Sequence, residues 1–100
     1  MITAIYMYRL KSGTSIDKYK KWSIERDQKI VNSFEGIKRF EVYTVESPEK
    51  RWDIFEVIKV DSWERWREIA KDPKMDKLHA EHKELADRDS IVRFYGEKIE

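Results

Sequence analysis

The chain has 100 residues, with 21 lysines and arginines against 20 aspartates and glutamates and a formal charge of +1. That length is a prior for one domain, residues 1–100, and the interspersed charges leave no basic stripe for nucleic acid. The absence of cysteine excludes disulfides, a thiolate nucleophile and cysteine metal sites, and fits a cytoplasmic protein.

Ile2 to Lys11 (ITAIYMYRLK) alternates as a strand, with apolar residues on both faces. It has no basic leader region and no cleavage site, so it does not read as a signal peptide. Thr14 and Asp17 have capping-box spacing, which predicts a helix from Thr14 to about Ser33, stopped at Gly36. Ile37 to Val45 is the next strand, ESPEKR (46–51) a loop, and Trp52 to Val60 a strand paired as a hairpin. Asp61 and Glu64 predict another capped helix, with Trp63, Trp66 and Ala70 on one face. Pro73, with Asp72 as cap, opens a separate helix ending near Asp87. Ser90 to Ile99 is the last strand, where Gly96 marks a bulge or a close approach. No run approaches the roughly 18 apolar residues of a membrane span.

The order is βαββαβ with the second helical region split in two, an α+β, ferredoxin-like pattern with a four-stranded antiparallel sheet. Both sheet faces are apolar. Helices cover one, and a second copy of the chain is the simplest cover for the other. Four tryptophans, five tyrosines and four phenylalanines fit a small core completed by dimerisation.

The only two histidines lie in LHAEH, residues 78–82. On a helical wheel starting from Met75, His82 falls at about 340°, inside the apolar stripe, and His79 at about 40°, on its shoulder. His82 therefore reads either as a hydrogen-bonded core histidine or as a pocket residue, and His79 as a rim residue. Their spacing is not that of HExxH, and no cysteine assists, so a dedicated metal site is disfavoured. Asp27 falls in the inward stripe of the first helix, at about 20° from Ile16. A carboxylate there must be paired or strongly hydrogen-bonded. An Asp27–His82 or Asp27–His79 pair would suit general acid/base work, whereas Lys20 offers a plain surface ion pair.

Glu56 and Arg93 either line a pocket or satisfy each other at a dimer interface. Tyr8, Trp22, Tyr43 and Trp66 are further candidates for contact with a substrate, although Trp22, Trp63 and Trp66 also suit simple packing. No GxGxxG, GxxxxGK[ST] or GxSxG motif occurs, which argues against a dinucleotide or ATP enzyme.

IYMYRLKSG, YKKWSIERD, FEVYTV, DSWERW and MDKLHAEHKELAD, in that order, resemble the dimeric α+β barrel superfamily and, within it, the REDY-like family. The resemblance covers nearly the whole chain. It implies a homodimer whose sheets meet face to face in a barrel, a pocket between sheet and helices, small aromatic or polyketide-like substrates of secondary metabolism, and no cofactor. It leaves the reaction open among cyclisation, dehydration and isomerisation, with cofactor-free oxygenation or simple ligand binding as alternatives.

Overall fold

The computed structural model describes residues 1–48 and 51–100. Residues 49 and 50 of the expected 46–51 loop lie outside them. The elements run β1 (Ile2–Leu10), α1 (Ile16–Trp22), a π-helical turn (Ser23–Asp27), α2 (Gln28–Ser33), β2 (Ile37–Thr44), β3 (Ile54–Val60), α3 (Trp63–Ala70), α4 (Pro73–Leu85) and β4 (Ala86–Gly96). The four strands form one antiparallel sheet in the order β2-β3-β1-β4. The ferredoxin-like order and the split second helix expected from the sequence are present.

The barrel is not. β2 and β4 are the two edges of an open sheet and do not pair with each other. Four strands are too few to enclose a packed interior, which takes about eight. The superfamily resemblance therefore carries over as strand order and helix placement, not as closure.

Several boundaries shift for identifiable reasons. Ser15, not Thr14, caps α1, its hydroxyl accepting from Lys18 N–H at 3.1 Å. Ser62, not Asp61, caps α3 in the same way through Arg65 N–H at 3.1 Å. Asp72 caps α4 as expected, accepting from Lys74 N–H at 2.8 Å, with Pro73 in the first turn. Gly36 has φ +97°, a left-handed geometry that L side chains avoid. β4 follows α4 with no loop, beginning at Ala86 rather than Ser90. Its irregularity falls opposite Met7 and Arg9 of β1, not at Gly96, where an added Cβ would meet open space.

One face of the sheet packs on the helices. Ile2, Ala4 and Tyr8 of β1, Phe40 of β2, and Ile54, Ile58 and Val60 of β3 are buried against Tyr19, Val31, Ile69, Met75, Leu78 and Leu85. The other face is uncovered within the chain, with Ile5, Tyr43 and Phe94 exposed and Tyr43 stacked on Phe55 at 4.8 Å. Among the described residues no helix is long and apolar enough to cross a membrane.

Candidate functional site

The first helix reaches the sheet through Tyr19, Ser23, Asp27 and Val31, all buried and spaced by four. In a straight α-helix each four-residue step overshoots a full turn by about 40°, so three steps would fan this row apart. The π-helical turn corrects the drift. Gln28 N–H bonds back to Ser23 C=O, five residues earlier, which takes up one extra residue and keeps Asp27 beneath the helix. A uniform wheel could not show this, and it wrongly placed Ile16 at the centre of the buried stripe, where the residue is 38% exposed.

On α4, Met75, Leu78, His82 and Leu85 face inward and His79 stays at the exposed rim. Arg88 Nη1 lies 3.1 Å from His82 Nδ1. A guanidinium only donates, so Nδ1 accepts and the imidazole proton sits on Nε2. The ring stands edge-on to Tyr8 at 4.7 Å and tilted against Trp22 at 5.8 Å. Burial, then the positive charge of Arg88, pushes His82 down to about 3. Burial, again followed by Arg88, lowers His79 too.

Two carboxyl groups are buried near this histidine. Glu56 accepts from Tyr8 O–H at 2.5 Å, and Tyr8 is hydrogen-bonded in turn to Tyr19. Burial raises Glu56 to about 7, against the opposing pull of the Tyr8 bond and of Arg88 and Arg93. Asp27 is raised to about 8 by burial first, then by the charges of Glu56 and Glu81. No described side chain donates to the Asp27 carboxyl, and the residue lines a cavity instead. Asp27 makes no hydrogen bond to either histidine, and Lys20 is not its partner. Like charges in one low-dielectric space disfavour double ionisation, so the two acids titrate as a pair.

The cavity has a volume of about 270 Å³. Its polar wall carries Asp27, Glu56, Tyr8, His82, Arg88 and Arg93, with His79, Tyr6 and Tyr95 beside them, and its apolar wall includes Phe40, Ile58, Trp66, Met75 and Leu78. Among the candidates named from sequence, Tyr8, Asp27, Glu56, Trp66, His79, His82 and Arg93 are brought together here. Trp22 and Tyr43 are not. Trp22 Nε1 donates to Glu81 at 2.8 Å, and Glu81 also takes both arms of Arg26, at 3.1 and 2.6 Å, locking helix to helix outside the cavity. Tyr43 lies at the uncovered sheet face and donates to Glu41 at 2.6 Å. Glu56 and Arg93 share the cavity without forming an ion pair.

Sequence reading missed Arg88. It stands five residues before Arg93, and strict alternation would send the two to opposite sheet faces. Both line the cavity because β4 bulges, with Met7 opposite Val92 but Arg9 opposite Asp87. Ser90 stitches the bulge, its hydroxyl accepting from Arg9 N–H at 2.9 Å and donating to Asp87 C=O at 2.7 Å. Among the described residues, no cluster of three or more histidines and carboxylates is arranged to hold a metal ion.

A four-stranded ferredoxin-like sheet with helices on one face is a fold shared by small α+β proteins with varied activities. The chain belongs to the family of the REDY-like protein HapK, whose model matches residues 2–99. HapK from Hahella chejuensis superposes with a TM-score of 0.86 at 19% identity, over 99% of this chain and 93% of that one. A hydroxynitrile lyase from Passiflora edulis gives 0.79 at 15% identity, over 95% and 90%. A dimeric ferredoxin-like protein of unknown function from Thermobifida fusca gives 0.78 at 14% identity, over 95% and 88%. No curated protein sequence matches the chain.

Proposed function

We propose that the protein is an enzyme that moves a proton on a small, partly aromatic or polyketide-like molecule, using its own side chains as acid and base in a cyclisation, dehydration or isomerisation. The observation that carries this reading is the pair of buried carboxyls, Asp27 and Glu56, lining one cavity with both ionisations displaced toward neutrality. An acid or base works best when its pKa lies near the working pH, and displaced pairs mark such sites. Asp27, without a side-chain donor among the described residues, is the exchanging group. Glu56, held by Tyr8, sets its charge. His82 is too weak a base to share the task and serves as an Nε2–H donor. A cavity of about 270 Å³ suits a one- or two-ring compound, since about 150 Å³ admits benzene. The membership of a lyase in the same fold is consistent with such chemistry and does not define it.

A second copy of the chain covers the open sheet face in this reading. Its support is the exposed Ile5, Tyr43 and Phe94, and the dimeric state of the related Thermobifida fusca protein.

The acid–base reading is tested by following deuterium exchange from D₂O into the α-carbon of small aryl ketones by NMR. The wild type should accelerate exchange and Asp27→Asn should abolish the acceleration. Binding of the ketones without any exchange would make the protein a carrier instead.

A further inference from the structure

Four arginines elsewhere in this chain are used for ion pairs. Arg9, Arg26, Arg39 and Arg65 each hold a carboxylate. Arg88 and Arg93 hold none among the described residues, although both line the cavity that contains Asp27 and Glu56. Arg88 spends one N–H on His82, and four donors remain. Arg93 lies over the Tyr6 ring at 5.5 Å, a contact that leaves its N–H edge available. The β4 bulge stitched by Ser90 is what turns both guanidiniums to one side.

We propose that this cavity receives a small aromatic carboxylate, with its ring against Trp66, Met75 and Leu78 and its anionic end on Arg88 and Arg93. This rests on the proposed acid–base site and names its substrate class. Charge balance favours it. Two guanidiniums stay protonated at any physiological pH, while both carboxyls that could neutralise them are displaced upward and share their ionisation. The cavity therefore carries excess positive charge near neutrality. A carboxylate matches the planar fork of arginine and forms charge-assisted hydrogen bonds to it. The apolar wall, with one tryptophan, fits the ring.

Isothermal calorimetry with benzoate, benzamide and benzamidinium at about pH 7 tests this, because only the first is an anion there. Benzoate should bind about tenfold or more tighter than benzamide, with benzamidinium weakest. Arg93→Gln, at an exposed position that folding tolerates, should erase most of the benzoate preference and weaken benzamide far less than benzoate; Arg88→Lys should weaken the preference part-way. Equal affinities, a preference for the cation, no benzoate binding at millimolar concentration, or a preference unchanged in Arg93→Gln would each overturn the proposal. Anion preference is read at equilibrium without turnover, whereas the acid–base reading is read from deuterium exchange, so either can fail alone.

Discussion

Arg88 donates from Nη1 to Nδ1 of His82 across 3.1 Å, joining the start of β4 to the inner face of α4. The bond fixes the tautomer of the histidine and opposes its protonation. NMR titration should therefore show no His82 transition between about pH 5 and 8, while Arg88→Gln should raise its pKa. The stability consequence follows from linkage. Below about pH 6.5 the unfolded chain takes up a proton that the folded chain refuses until about 3, so stability present above the first value is lost as pH falls toward the second. Urea unfolding at descending pH should show a smaller acid loss in His82→Asn, which retains an acceptor for Arg88.

Asp27 has the opposite sign. Its folded pKa of about 8 exceeds the unfolded value of 3.8, so the folded chain holds an extra proton between them. Its favourable share is complete below the unfolded value and fades as pH rises through about 8. Asp27→Asn should remove that loss and exceed the wild type in stability at alkaline pH by an amount on the order of a few kcal/mol. A thermal-melt series against pH checks this. The substitution that removes the proposed exchanging acid should thus also stabilise the fold.

Tyr8→Phe removes the donor to Glu56 and the link to Tyr19. Leaving a buried carboxyl short of a partner should cost about 1–3 kcal/mol in urea unfolding. It should also raise Glu56 further, since the Tyr8 bond is the strongest influence lowering it. Infrared spectra should then show more protonated carboxyl at neutral pH than in the wild type.

Gly36→Ala meets two obstacles, a φ of +97° and an added Cβ only 2.6 Å from Arg65 Cγ. The expected loss is about 1–3 kcal/mol. In an Arg65→Ala background only the backbone part should remain, a difference that a double-mutant cycle measures.

Ile5→Glu and Phe94→Glu place charge on the uncovered sheet face. Light scattering should show the wild type as a dimer and each variant as a monomer. A wild-type monomer would end the dimer proposal.

The element order was legible because hydrophobic period changes along the chain and depends on local sequence. The inward positions of His82 and Asp27 were legible for the same reason, one from a regular α4 and the other despite an irregular helix. Cap choice was not. At both Thr14–Ser15 and Asp61–Ser62 two competent residues adjoin, and only tertiary placement decides which one bonds. Arg88 was hidden because helix and strand meet without a loop and the strand then slips its register. Between the packing and substrate readings of Trp22 the sequence could not choose, because its indole N–H is claimed by Glu81, 59 positions away. Barrel closure was a property of the resembling superfamily, and edge-strand pairing cannot be read from one chain's periodicity.

The π-helical turn gives the site an unusual tolerance of length. Asp27 reaches the cavity through the extra residue taken up between Ser23 and Gln28. Deleting Ile24, whose side chain is 61% exposed, would let the turn close as ordinary α while the helices on either side keep their relation to each other, because the wide turn already absorbs the extra residue. The row of Tyr19, Ser23, Asp27 and Val31 would then run at spacings of four, three and four, which an ordinary α-helix keeps on one face. Alignment of this chain with its relatives by residue type alone would overlook such a change, whereas counting residues between the tyrosine and the aspartate would detect it.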